Sequence, residues 1–356
     1  RYNNSYEYFK HNTMTTTTKI IFTRYLYEKA SVEIALNLAL LDRNEEAALF
    51  WAYELFHSGF EEDVFKSLWL AYYYFYASSN FYLEQYFAKK TKELGYTSKL
   101  INIFICNLVI KPCTIDVFLI RPWENASSEH LSLEKNEKEA FDKLFSFLLL
   151  KDYTTFMQQL QQEFSQLLLK NKINMKSFMN TTDNFADEDI ICLSRLFLCF
   201  MLKVKKQGKK IYVCPEYVDE LLYETLVLTP SRFILGAMPK YSVFECRFVS
   251  LFRVNYEHDL RDAYYNRWEY YAWRSPIWKT RLQTHGAVIN SETSTIHFDD
   301  DDHLESFYEE FGLEPDDQLK SITERRVSLE EDVMSVNIKD FIIQYNDFGF
   351  ILRQNL

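Results

Sequence analysis

Glycine is scarce in this chain. Only seven of the 356 residues are glycine, at positions 59, 95, 208, 236, 286, 312 and 349, and no two are spaced as GxGxxG, a Walker A loop or GxSxG. Loops that cradle phosphate, and elbows that present a nucleophile, need glycine because only a residue without Cβ readily accepts positive φ or lets backbone close on a ligand. Dinucleotide-binding, P-loop and α/β-hydrolase enzymes are therefore not expected. The six cysteines never come as CxxC, so zinc-ribbon and thioredoxin-type spacings are missing too. Five of them stand in apolar or strand-like surroundings, where free cysteine acts as a small hydrophobe, and a reducing compartment is expected. No stretch approaches about 18 consecutive apolar residues, and no secretory signal opens the chain. The expectation is a soluble, cytoplasmic protein. Histidines number seven, and no nucleophile triad can be assembled from their spacing. Nothing calls for a cofactor, and catalysis is not the favoured reading.

What the chain does have is rings: 25 tyrosines and 30 phenylalanines. From about Lys19 to Lys111 they fall at helical spacing. Asn44 caps a run in which Leu49, Ala52, Tyr53 and Phe56 recur at i, i+3, i+4 and i+7, and Gly59 stops it. The next helix, about Glu61 to Ala77, is apolar on two faces, which predicts a helix sandwiched between neighbours. Helices over 81–94 and 97–110, with a stop at Gly95, complete a repeat-like arrangement. Thr114 to Arg121 reads as a short strand. Helices are expected again over 132–150, 153–170 and 189–206, the last running into the lysines Lys203, Lys205, Lys206, Lys209 and Lys210. Beyond Gly208 the pattern is mixed, with strands expected at 210–214, 241–254, 289–298 and 338–352 and helices at 217–226 and 258–273. The fold class is mainly α, with a repeat-like helical N-terminal half and an α+β C-terminal half. The expected domains are a non-core extension 1–18, a helical domain 19–207 and an α+β domain 208–356.

The net charge of −11 is local. Residues 299–332 hold fourteen acids against Lys320, Arg325 and Arg326, leaving the rest of the chain neutral. Such a segment is either a solvated loop or a surface for a basic partner. Its candidate partner-binding residues are Asp299, Asp300, Asp301, Asp302, Glu309, Glu310, Asp316 and Asp317. A second candidate is the helix of Tyr217 and Leu222, whose spacing loosely fits a YxxxxLΦ groove-binding peptide. His297, Asp299 and His303 offer metal-ligand types within one loop, but a solvated loop with Asp302 capping the following helix is favoured over an ion site.

The strongest constellation interleaves arginine with aromatics: Arg261, Tyr264, Arg267, Trp268, Tyr271, Trp273, Arg274 and Trp278. Such a set can clamp single-stranded RNA or grip a nucleotide base. The competing reading is a helix whose rings are core and whose arginines pair with Glu257, Asp259, Asp262 and Glu269. That reading is favoured because large aromatics lie inside far more often than in ligand boxes.

Three stretches, Glu46–Phe60, Trp268–Trp278 and Tyr308–Gln318, resemble proteins of nucleocytoplasmic giant DNA viruses. The resemblance spans about a tenth of the chain and implies a viral protein made in the host cytoplasm or viral factory; it carries no functional residues across. The leading expectation is a non-enzymatic scaffold or adaptor that binds protein partners with a basic surface, with no membrane or DNA role. RNA or nucleotide binding by residues 258–281 is the alternative, and a metal-dependent hydrolase the second alternative.

Overall fold

The structure is a computed structural model that describes residues 18–121, 127–180, 185–215, 233–236, 249–252, 257–311, 334–345 and 349–350. Helices come first: α1 (Lys29–Leu41), α2 (Glu45–His57), α3 (Glu61–Ala71) continuing as a π-helical turn Tyr72–Tyr76, α4 (Tyr82–Leu94), α5 (Ser98–Val109), α6 (Asp116–Ile120), α7 (Lys135–Leu149), α8 (Tyr153–Lys170), α9 (Met175–Met179) and α10 (Glu188–Lys203). Then follow β1 (Phe233–Gly236), α11 (Val249–Phe252), α12 (Leu260–Ala272), α13 (Pro276–Thr284), β2 (Val288–Asn290), β3 (Thr295–His297), α14 (Asp301–Phe311), β4 (Met334–Asn337) and α15 (Ile338–Tyr345). The chain is mainly α, and its strands all fall in the C-terminal half, β1 paired with β4 and β2 with β3. No helix among the described residues is long and apolar enough to cross a membrane.

Two compact units emerge, and both draw on residues from either side of position 208. One comprises Arg1–Leu36, Phe50–Phe60 and Leu221–Val336, the other Asn37–Leu49, Glu61–Glu220 and Asn337–Leu356.

In the second unit the helix ends follow local signals. Asn44 Oδ1 accepts from Ala47 N at 3.0 Å, Thr97 caps α5, Glu134 and Glu137 form a capping box on α7, and Asp152 caps α8. Each satisfies an amide that the first helical turn leaves without a partner. Helix α3 buries Val64, Leu68 and Ala71 on one face and Phe65 and Trp69 on the other. The π turn buries five rings in succession. It is held by Tyr76 Oη donating to Leu40 O at 2.9 Å and Tyr72 Oη donating to Asn80 O and Phe81 O at 3.3 Å. Helix α10 is buried along nearly its whole length, and it carries Arg195 inside, paired with Glu84 at 2.5 Å.

Five expectations are corrected here. Residues 114–121 are not a strand: the β-branched pair Thr114–Ile115 leads into helix α6, whose five residues are all buried. Residues 338–352 are not one strand either, since β4 ends at Asn337 and Ile338–Tyr345 is helical; short apolar runs read equally well at either period. Residues 210–214 are irregular and join no ladder, because Val213 bonds through both backbone groups to the side chain of Asn107. Within 241–254, residues 249–252 are helical. The expected strand 289–298 is a hairpin: Val288 lies opposite His297, Ile289 opposite Ile296 and Asn290 opposite Thr295. The expected helix 217–226 lies outside the described residues.

Candidate functional site

The first unit packs α12 and α13 against α14. Asp259 caps α12, and Ser275 with Pro276 starts α13. The turn before Pro276 is met by Gly59, whose φ of +86° and close approach leave no room for a Cβ, which would stand 2.6 Å from Pro276 Cβ. Tyr264, Trp268, Tyr271 and Trp278 are buried in one cluster with Phe22 and Phe307. Trp268 stacks on Phe307 at 6.1 Å and meets Trp278 edge-on at 5.3 Å. Trp278 Nε1 donates to Thr23 O at 2.8 Å. Four of the five aromatic residues singled out for RNA or nucleotide binding are therefore core, and Trp273 is half-buried. A ring enclosed in this way offers no face to a base.

The arginines of the same set lie at the rim. Arg267 donates to Asp262, and Arg274 donates to Glu257 and to Ile20 O. Arg261 is exposed and lies beside Tyr265. The Asp262 carboxyl is held below the usual carboxylate range by hydrogen bonds from Asn266 and Arg267. At Arg267 the backbone departs from helical angles, with φ −150° and ψ 30°.

One groove of about 540 Å3 opens between the rim of α12, the β2–β3 hairpin and the start of α14. Asn266, Glu269 and Tyr270 come from α12, His297, Asp299 and Asp300 from the hairpin end, and Asp301, Leu304 and Tyr308 from α14. Tyr308 Oη donates to Glu269, which ties the two walls together. Asp299 lies over Gly286, where a Cβ would stand 2.7 Å from its carboxylate. Asp300 accepts from His303 N at 2.9 Å and contacts His303 Nδ1 at 2.7 Å. The cap of α14 is therefore Asp300, not Asp302, because the helix already starts at Asp301. The backbone amide of His303, and then its ring, hold the Asp300 carboxyl below the usual range.

The other predicted residues scatter. His297 Nε2 meets Thr295 Oγ1 at 3.0 Å, and among the described residues no group of three or more His, Cys, Asp or Glu side chains is placed to share a metal ion. Glu310 is bonded to buried His285 at 3.0 Å, on the far side of Phe307 from the groove. Asp302 and Glu309 are exposed. Tyr217, Leu222, Asp316 and Asp317 lie outside the described residues. Glu269 and Tyr308 line the groove although the sequence candidates did not include them. The signal was the i, i+4 spacing of Leu304 and Tyr308 beside a helix whose outward face is polar.

Chemically, the groove sets four carboxylates and two tyrosine rings against one arginine already paired with Asp262. Such a surface attracts cations through charge and through ring faces. No family model matches the chain, and neither a curated protein nor a solved structure does.

Proposed function

We propose that this chain is a non-enzymatic adaptor, and that the groove between α12, the hairpin and α14 docks a basic segment of a protein partner. The observation that carries the reading is the convergence of Glu269, Asp299 and Asp301 with the rings of Tyr270 and Tyr308 on one open groove. A lysine or arginine side chain fits both features: its charge meets the carboxylates and its stem lies along the rings. The resemblance of three stretches to giant-virus proteins makes the host cytoplasm the proposed setting.

Titration of the full chain with a fluorescent lysine- and arginine-rich peptide tests this. Binding is expected to weaken with salt, as partly exposed ion pairs do. The variant Asp299→Asn/Asp301→Asn is expected to bind several-fold more weakly, on the order of 1 kcal/mol for the two charges together. Equal binding by parent and variant, or no binding by the parent, overturns the proposal.

A further inference from the structure

In the second unit, residues 204–215 follow α10 as an irregular strap fixed along its length by groups distant in sequence. Gly208 N donates to Ser79 O at 2.8 Å, and the strap comes so close that a Cβ on Gly208 would overlap Asn80. Lys111 Nζ donates to Lys209 O at 2.6 Å and to Ile211 O. The Asn107 amide takes both backbone groups of Val213, at 2.7 and 2.9 Å, and Tyr86 Oη donates to Val213 O at 3.1 Å. Lys111 is thus consumed in holding the strap: it is buried, and burial lowers its pKa. The lysines of the strap itself, Lys205, Lys206, Lys209 and Lys210, are all exposed.

Tyr82 joins this strap to a second basic segment. Lys210 Nζ lies 3.4 Å from the Tyr82 ring centroid, and Tyr82 Oη donates to Asn171 O at 3.0 Å. Asn171 stands between Lys170 and Lys172, with Lys176 following in α9, and all three lysines are exposed. The result is a ledge of seven lysines. No Asp or Glu occurs in residues 164–180 or 190–215, so neither segment carries its own counter-charge. At the edge stands Tyr212, 40% exposed, with one face on Tyr86 at 4.5 Å and its hydroxyl on Tyr82 O.

We propose that this ledge binds the phosphate backbone of single-stranded nucleic acid. A chain with an acidic total charge conceals a local polycation, and local charge decides such binding. Lysine binds phosphate oxygens as a mobile point charge, without the bidentate fork by which arginine grips phosphate or carboxylate. The sole arginine in residues 164–215 is Arg195, which is buried and bonded to Glu84. Because side chains anchor the strap's backbone, the lysines are held in place without a ligand. Tyr212 adds an aromatic edge next to the charged track, as in surfaces that follow single strands without reading their sequence.

Fluorescence anisotropy of the full chain with a labelled 20-nucleotide oligo(U) tests this. With about four phosphates neutralised, affinity is expected to fall roughly 50-fold between 50 and 200 mM salt. The variant Lys205→Gln/Lys206→Gln/Lys209→Gln/Lys210→Gln is expected to bind at least about tenfold more weakly and with a shallower salt slope. Tyr212→Ala is expected to lose about five- to tenfold with the slope unchanged. A control, Lys135→Gln/Lys143→Gln, removes exposed charge elsewhere on the unit and is expected to bind as the parent does. Circular dichroism melts show whether each variant is folded. Absence of parent binding, or a quadruple variant that binds like the parent, overturns the proposal. Competition by polyglutamate as effective as that by oligo(U) at equal charge overturns it in favour of an acidic protein surface.

Discussion

Both units build their cores from stacked rings, but they place arginine differently. In the helical unit, Trp69, Tyr72, Phe87 and Phe104 pack on one another, and Arg195 lies fully inside against the ring of Phe81 at 4.7 Å. In the other unit, Trp268, Trp278 and Phe307 form the centre, while Arg267, Arg274 and Arg281 stay at the edge. The difference follows from the helices. Helix α10 is apolar all round, so its one arginine has no watery face and takes the carboxylate of Glu84 in with it. Helix α12 interleaves acids with its arginines, and Asp262 holds Arg267 near solvent. The same residue type therefore carries very different energetic weight in the two places.

The largest expected effect breaks the buried pair. Arg195→Met alone leaves the Glu84 carboxylate buried without its counter-charge and is expected to cost about 3–5 kcal/mol in urea unfolding. The double variant Arg195→Met/Glu84→Leu removes both charges and is expected within about 1 kcal/mol of the parent. A single variant as stable as the double would mean that the pair is solvated. Next is Trp278→Ala, expected to cost about 3–5 kcal/mol for the lost ring. Trp278→Phe keeps a ring but leaves Thr23 O without the indole N–H, and about 1–3 kcal/mol is expected. At the rim the numbers shrink. Arg274→Gln, which loses Glu257 and Ile20 O, is expected to cost about 1 kcal/mol, and Arg267→Gln less than about 0.5 kcal/mol. If the rim substitutions cost as much as the buried one, the contrast between the units fails.

The N-terminal helices were legible where structure is decided locally. Asn44, Gly59 and Gly95 mark helix ends because capping and positive φ depend on a few neighbouring residues. The two apolar faces of 61–77 announced their burial in the same way, although the spacing did not reveal the π turn at Tyr72. The failures at 114–121 and 338–352 are short apolar runs whose state is chosen by what they pack against. Phe118 and Phe341, one from each run, lie 6.0 Å apart. The groove was half legible. Aromatics and arginines could be paired into a list, and the rings at Tyr264, Trp268 and Tyr271 turn inward at ordinary helical spacing, but the hairpin and α14 that close the groove come from other parts of the chain. The lysine strap read as the end of a helix followed by a strand, because the side chains that fix it, Asn107 and Lys111, are about a hundred residues away.

The smallest expected effect concerns the acidic edge of the groove and its pH dependence. The Asp300 carboxyl accepts from the first turn of α14 and is held below its ordinary value. A depressed folded pKa contributes stability above the unfolded value, about 3.9, and that contribution is lost as pH falls through the folded pKa. Asp262 on α12 has the same sign. Asp300→Asn keeps an acceptor oxygen for His303 N but removes the charge that favours a helix N-terminus. Thermal melts of parent and variant are therefore expected to differ, with the parent more stable, by a small constant amount from about pH 7 to 5. The two are expected to converge only as pH falls through the depressed folded pKa of Asp300, below its ordinary value. A difference that persists once the carboxyl is protonated in both states would show that the amide alters the geometry of the cap, and the groove's acidic edge would then be set by shape rather than by charge.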